Sequence, residues 1–575
     1  MNAAVERRGK SLAPALAGLL LAVAYPPYNQ GWAAWIAPVL LWWAWQGRAP
    51  GRGPLAGTIL GGLLWSAALF HPLWVVEGGT WAQRWGGFAA VCAALIAFLL
   101  AFALLWRRLA GPGAPGWRTA LAGAASWVAL EYGLRQAAAG FSPYLGVTQW
   151  QGPLLNAAAY GGVHGVSALI VLGSGALAAA LGGAVRTPPG VHRARAGSGR
   201  KPQGEGRAAA SGWAVALGGA ALVALLLSSG GLLRVPDAKA DQSLAANAGG
   251  TAFIAVLVQP GWSPADYDAA AAGGIGGHER LLSQVLAASR AAVENLQGDP
   301  GLGRSLGEPD GGPAEPVLVI WPETTLHVPA LSIPRFAAMV HAFARESHVA
   351  LLAGLPHPAP ADRPGGAAHP SAPEFNSAFF IDASGNIAGR YDKVYVIPIA
   401  EAHYRGGERV AALPASPAPG WDGPAIGVGI CSDAVEPRHA REAVLAGATS
   451  LHYLASLGRI GRLARLEEAF LAFRAAEHRL HVTQVATTGP TKVVGPDGRT
   501  LQALESSEAG ALAQRIPARS GEPTVYTVYG DWPVAAAGLL LLAFGLGDAL
   551  PWRSKGRRGG GGQRRRGRGA AAHQR

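Results

Sequence analysis

Only two cysteines occur in 575 residues, and only 14% of the residues are charged. Cys92 lies in the apolar run 88–105, whereas Cys431 follows a strand-like run far along the chain. A disulfide would have to join a bilayer segment to an extramembrane domain, so a disulfide framework is excluded and one thiol is free for chemistry. With half of all residues hydrophobic, the scarcity of charge argues against an ordinary soluble protein and for the membrane class. The net charge of +13 does not make a nucleic-acid surface, because the basic residues cluster in short loops and in the tail. No nucleic-acid partner is expected.

Apolar runs suited to a hydrocarbon core of about 30 Å lie at 11–27, 32–46, 54–76, 88–106, 117–137, 160–185, 212–233 and 532–550. The first resembles a signal peptide, since Arg7, Arg8 and Lys10 precede it, but no small-residue cleavage site follows and Pro26-Pro27 leads into the next run. It reads as a retained helix. Trp42, Trp43 and Trp45 near the end of the second run read as interfacial anchors. Glu131 and Arg135, four apart in the fifth run, are spaced to pair on one helix face.

The basic clusters give an orientation. Arg7, Arg8 and Lys10 come first, then Arg48 and Arg52, then Arg107, Arg108 and Arg118. Arg186, Arg193, Arg195, Arg200, Lys201 and Arg207 follow the sixth run, and Arg553, Lys555, Arg557, Arg558 and Arg564 to Arg566 follow the eighth. If eight spans are crossed, all five clusters share one side. That is the positive-inside pattern, with both termini cytoplasmic and 234–531 on the opposite side.

Region 234–531 has another texture. Short β-branched runs at 253–258, 317–320, 378–381, 426–430 and 482–485 alternate with Ala-rich helical stretches such as 278–296 and 463–479. This predicts a layered α/β domain. Stretches 297–316 and 356–373, rich in Pro and Gly, read as surface loops. Segments 186–211 and 556–575 read as Arg/Gly-rich and without fixed structure. The expected organisation is a seven-span membrane domain over 1–233, a catalytic domain over 234–531, a last helix over 532–550 and a basic tail over 551–575.

Three residues stand at strand ends in that domain: Glu323 in Trp321-Pro322-Glu323, Lys393 after Gly389-Arg390-Tyr391-Asp392, and Cys431 after the run 426–430. A thiol becomes a nucleophile when a base takes its proton, and a glutamate is such a base. A lysine stabilises a tetrahedral oxyanion, helped by a backbone N–H such as that of Ser432. The set performs acyl transfer without a metal or organic cofactor. Each residue alone reads as an ordinary loop or core residue, and only their combination is specific.

The order Trp-Pro-Glu, Arg-Tyr-Asp-Lys, Gly-Ile-Cys resembles the nitrilase superfamily. The likeness continues through Glu436-Pro437, Arg441, Ala446-Gly447-Ala448, Arg474-Ala475-Ala476-Glu477 and Gly495-Pro496-Asp497-Gly498. The resemblance implies an αββα sandwich with Glu323, Lys393 and Cys431 as the catalytic triad. Tyr25-Pro26-Pro27-Tyr28, the stretch 127–135 with Gly140-Phe141, the stretch 161–167, Lys393 to Glu401, and Tyr529-Gly530-Asp531-Trp532 resemble the bacterial apolipoprotein N-acyltransferase family. That implies a nitrilase-like domain inserted before the last of about eight spans, in the cell inner membrane with the catalytic domain periplasmic. It implies ping-pong transfer of a fatty acyl chain from a phospholipid, through a Cys431 thioester, to the α-amine of an apolipoprotein's lipidated N-terminal cysteine. Glu401 matches a second, supporting glutamate. Ser432 and Asp433 stand where the family typically has Tyr-Glu, and 455–460 departs from a Ser-Asn-Asp-Ala-Trp-Phe-like loop. These segments are expected to border the acceptor site. Trp262 reads as a surface or lid aromatic without a role.

Two rivals remain. A membrane-anchored amidase would use the same triad with water as acceptor, but hydrolysis of a soluble amide needs no bilayer access. A transporter or scaffold would need more ionisable residues in the spans than Glu131 and Arg135 supply.

Overall fold

The described residues up to 185 form six α-helices, as expected where apolar runs of this length satisfy their own backbone hydrogen bonds: α1 (Ala3–Ala24), α2 (Ala33–Trp45), α3 (Arg52–Phe70), α4 (Trp81–Ala110), α5 (Gly116–Ala137) and α6 (Ala158–Val185). The computed structural model describes residues 3–46, 51–70, 80–185 and 252–549, apart from 112–113, 138–142, most of 297–314, 360–373, 398–400, 402, 415–417, 458–462, 507 and 520. By length and composition, Arg52–Phe70, Arg84–Ala110 and Pro153–Leu181 are long and apolar enough to cross a membrane, and Ala33–Trp45 and Trp532–Leu546 are shorter apolar helices. The run 212–233, the basic segments 186–211 and 551–575, and most of the loops 297–316 and 356–373 lie outside the described residues.

Two local expectations change here. Helix α1 begins at Ala3, so Arg7, Arg8 and Lys10 lie within it, and Lys10 pairs with Glu6 one turn back at 2.9 Å. Trp45 is not an interfacial anchor: it is buried, and its indole N–H donates to Thr58 of α3 at 3.0 Å. Helices α1 and α3 approach so closely that a Cβ on Gly61 would stand 2.3 Å from the Pro14 carbonyl oxygen, a contact only glycine permits. Between the helices, Trp127 of α5 meets Phe98 and Phe102 of α4 edge-on, with ring centroids 4.9 and 4.8 Å apart.

The second half is an αββα sandwich. Its strands are β1 (Ala252–Gln259), β2 (Val317–Ile320), β3 (Ala350–Pro358), β4 (Glu374–Ile381), β5 (Ile387–Asp392), β6 (Ala412–Leu413), β7 (Ile426–Ile430), β8 (Leu451–Ala455), β9 (Val482–Ala486), β10 (Thr491–Val494), β11 (Thr500–Leu504) and β12 (Gly510–Pro517). One sheet runs β12-β1-β2-β3-β4-β5 and the other β11-β10-β9-β8-β7-β6. Strands β1, β2 and β3 are parallel in the first, as are β7, β8 and β9 in the second. Parallel strands covered on both faces need apolar residues at every position, which is why β1, β2 and β7 read as continuous runs and are buried throughout.

The inner layer joins Phe253, Leu257, Ile320 and Phe380 to Val428, Ile430, Leu454 and Val485. Helices α7 (Pro264–Ala272), α8 (Gly274–Leu296) and α9 (Pro334–Glu346) cover the first sheet, and α10 (Pro437–Leu445) and α11 (Leu463–His478) the second. Helices α12 (Val525–Tyr529) and α13 (Trp532–Ala549) complete the chain's described part. Trp262 is not a surface aromatic: it is buried in the outer core, edge-on to Tyr267 with centroids 5.9 Å apart. Residues 356–358, expected in a loop, extend β3. Pro356 is tolerated because β3 outruns β2 there and keeps only the antiparallel partner β4.

The two halves share a core. Phe470 and Phe473 of α11 pack among Leu154, Leu155 and Tyr144, and the Glu477 carboxylate accepts the Val163 N–H at 3.0 Å. Glu131 and Arg135 do not pair. Glu131 takes His164 Nδ1 at 2.8 Å, Ser167 Oγ at 3.0 Å and the Leu145 N–H at 2.8 Å. Arg135 reaches across to Glu436 at the N-terminus of α10, donating from Nε at 3.0 Å and from Nη2 to the other carboxylate oxygen, with Asp531 3.6 Å away. Sequence spacing favoured the local pair, but the buried bidentate geometry wins because it satisfies a guanidinium and a carboxylate together.

Arg135→Ala strands Glu436 without its partner. It should cost about 3–5 kcal/mol, read as a lowered unfolding midpoint in detergent. Arg135→Met combined with Glu436→Gln should cost less than the sum of the two single changes; strict additivity would mean that the pair contributes nothing.

Candidate active site

Strand β2 ends at Ile320, and the indole N–H of the next residue, Trp321, donates to Ser289 of α8 at 2.9 Å and pins the departing chain. Glu323 follows, and the neighbouring Gly354 of β3 makes room for it: a Cβ there would stand 2.2 Å from the Pro322 carbonyl oxygen. The Glu323 side chain is buried, and Asn376 of β4 donates to Oε1 at 2.7 Å. From the next hairpin, Lys393 follows β5 directly, its N–H bonded to the Asn376 carbonyl at 2.9 Å. Its Nζ donates to Glu401 Oε1 at 2.6 Å and lies 3.8 Å from Glu323 Oε1. The other Glu401 oxygen accepts the Ile397 N–H at 2.8 Å, which fixes the carboxylate that holds the lysine.

Cys431 comes from the opposite sheet, at the end of β7, and opens a 3-10 turn, Cys431–Val435. Its φ is +49°, a left-handed conformation that costs a non-glycine residue about 1–3 kcal/mol. Asp433 holds that turn. Its buried carboxylate accepts the Ile430 N–H at 2.9 Å, the Tyr391 hydroxyl at 2.7 Å and the Tyr395 N–H at 3.3 Å. It therefore points into the fold and does not border an open acceptor site. Ser432 Oγ donates to the Tyr395 carbonyl at 3.2 Å. Both residues tie the nucleophile's turn to the segment after Lys393.

The electrostatics are those of a coupled cluster. Burial opposes the Lys393 ammonium, but Glu323, Cys431 and Glu401 outweigh it and hold its pKa above that of an ordinary lysine. Burial lifts the Glu323 pKa, with Lys393 pulling against it and Glu401 adding to it. Burial, then Glu323 and Glu467, push the Cys431 thiol well above its usual value, against the pull of Lys393. At rest the cysteine is a neutral thiol beside a base, which suits proton removal during attack. Among the described residues no group of His, Cys, Asp and Glu could hold a metal ion.

Two site residues were missed from sequence. Asn376 carried a signal, a polar residue in the apolar strand 374–381. Glu467 carried one as well, for it shares a helix face with Phe470, Leu471 and Arg474, all buried. From the loop 455–460, Ser456 accepts from Thr487 Oγ1 at 3.2 Å and its backbone bonds Glu323, while 458–460 lie outside the described residues.

The sandwich and its strand-end residues define a domain of the carbon-nitrogen hydrolase class, and residues 315–523 match that family. Residues 17–176 match the apolipoprotein N-acyltransferase N-terminal domain. The chain is thus similar to the apolipoprotein N-acyltransferases in its first part and to the carbon-nitrogen hydrolases in its second. An apolipoprotein N-acyltransferase of Geobacter metallireducens is 24% identical over 94% of this chain and 96% of its own length. Another, of Thermotoga maritima, is 34% identical over 19% of this chain and 22% of its own. Among solved structures, an amidase from Nesterenkonia sp. is 21% identical, covering 47% of this chain and 91% of its own, with a TM-score of 0.34.

Alkylation of Cys431 by iodoacetamide, followed by mass in a Cys92→Ser background, should rise with pH about a midpoint above that of a free thiol (roughly 8.5). At a fixed pH below that midpoint, Lys393→Met should slow it and Glu323→Gln should speed it, each by about tenfold. Equal rates in all three proteins would remove Cys431 from the cluster.

Proposed function

We propose that the chain is a membrane-embedded acyltransferase. It moves a fatty acyl chain from a phospholipid, through a thioester on Cys431, to the α-amine of an apolipoprotein's N-terminal diacylglyceryl-cysteine. The observation that carries this reading is a single geometry: a nucleophile turn, a base and a buried ammonium assembled in a sandwich whose core runs on into apolar helices. Both substrates are lipids, and a site built onto such helices is reached from a bilayer.

Glu323 takes the Cys431 proton as sulfur attacks the ester carbonyl, and the Lys393 ammonium faces the oxyanion that forms. Glu401 keeps that ammonium in place. The tetrahedral intermediate collapses, the C–O bond breaks, and Glu323 returns the proton to the departing alkoxide. An amine then attacks the thioester, and Cys431 leaves as a thiol. The reaction is ping-pong, and its chemistry calls on no cofactor.

The same reading gives the topology: about eight spans in the cell inner membrane, a periplasmic catalytic domain over 234–531, a last span at 532–550 and both termini cytoplasmic. Its support is the run of basic clusters. Arg107 and Arg108 in the last turn of α4 and Arg118 at the start of α5 stand together, with Arg118 Nε donating to the Leu109 carbonyl at 2.8 Å.

Incubated with phospholipid, the detergent-solubilised protein should gain one fatty-acyl mass, released by hydroxylamine and absent in Cys431→Ser. Transfer to a diacylglyceryl-cysteinyl peptide should follow. Turnover of small amides with no acyl adduct would instead indicate a membrane-anchored amidase.

A further inference from the structure

One carboxyl beside Cys431 has no part in the steps above. Glu467 stands near the start of α11, which packs against the Cys431 turn. It is 5% exposed, and among the described residues its Oε2 has no hydrogen-bond partner. Its neighbour Glu468 is satisfied, by Lys492 at 2.9 Å and Arg465 at 3.2 Å. A buried carboxyl oxygen left without a partner is destabilising, and an apolar residue would remove that cost on a face shared with Phe470 and Leu471. A rule of the fold broken this way, next to a nucleophile, marks a functional position.

The charges acting on Glu467 are those of the site. Glu323 comes from the loop after β2 and Lys393 from the end of β5; Glu467 acts in turn on Cys431, as does Glu401. Burial first, then Glu323, push the Glu467 carboxyl up to about 8, with Lys393 opposing.

Proton bookkeeping supplies a task, resting on the acyl-transfer reading above. In the first half-reaction the thiol proton travels through Glu323 to the leaving alkoxide, a C–S bond forms, a C–O bond breaks, and no proton is left over. In the second, the acceptor is an α-amine with a pKa of roughly 8, so it arrives largely as an ammonium. A C–N bond forms, the C–S bond breaks, and the nitrogen sheds two protons. Glu323 takes one and returns it to the Cys431 sulfur. The other needs a second acceptor, which an ester donor does not.

We propose that Glu467 is that second acceptor: its Oε2 takes the first proton from the incoming ammonium and releases it to water when product leaves. With its pKa near 8 the carboxyl is largely protonated at pH 7, so the step draws on its ionised fraction, and between partners so closely matched in acidity the transfer is nearly balanced in both directions. The structure thus assigns the site to amines that arrive charged.

The test uses the full-length protein, loaded with acyl chain on Cys431, in single turnovers at pH 7 with two nucleophiles. One is a diacylglyceryl-cysteinyl peptide, whose amine arrives protonated; the other is hydroxylamine, which arrives neutral and needs only one base. Glu467→Gln should slow transfer to the peptide about a hundredfold and the hydroxylamine reaction far less. Glu467→Asp, which keeps a carboxyl, should recover most of the peptide rate, and it provides the comparison with Glu467→Ala if the glutamine variant does not load. Equal slowing with both nucleophiles, or no slowing with either, overturns the role of Glu467 while leaving the acyltransferase standing. A wild-type acyl-enzyme that reacts with hydroxylamine but never with the peptide overturns both.

Discussion

A single buried ammonium organises this molecule. Lys393 is fully buried, and such a charge persists only where opposite charges and hydrogen bonds surround it. Glu401 supplies one contact and Glu323 the other, and each carboxylate is itself fixed by a neutral donor, the Ile397 N–H or the Asn376 amide. Two carboxylates and one ammonium are left with a net negative balance beside Cys431. Burial first, and that balance after it, hold the Cys431 thiol above its usual pKa.

The sandwich brings these groups together by a simple rule of parallel sheets. Strand β2 of one sheet and strand β7 of the other release their side chains at their carboxyl ends, and the hairpin β4-β5 adds Asn376 and Lys393 from the side. The strain at Cys431 is borne by Asp433, whose three acceptor contacts tie β7, Tyr391 and the segment after Lys393 to one carboxylate. A shorter side chain at this position is no weaker substitute, because its work is done inside the fold.

Much of this was legible in the sequence, where local runs and the order of short motifs carry the signal. Strands β2 and β7 match their apolar runs residue for residue, since continuous burial demands continuous hydrophobicity. The glutamate, lysine and cysteine were readable at strand ends, and the structure brings Glu323 to within 3.8 Å of Lys393. What stayed hidden depends on distance in space. Arg135 chose Glu436, 301 residues away, over Glu131 on its own helix. Trp262 and Trp45 looked like aromatics of a surface or interface, yet each is enclosed by elements that no local pattern announces. Glu467 was hidden beside Glu468, for adjacent acids look alike until one is found ion-paired and the other, among the described residues, with an oxygen unpartnered.

Helix α11 has faces in both halves. Phe470 and Phe473 belong to the helical core, Leu471 and Ala475 to the sandwich, and Arg474 and Glu477 form a buried ion pair between them. A sandwich cut free of the helices would turn an aromatic stripe and a guanidinium toward water on the very helix that carries Glu467. The anchorage to the helices and the buried Glu467 carboxyl sit on the same four turns.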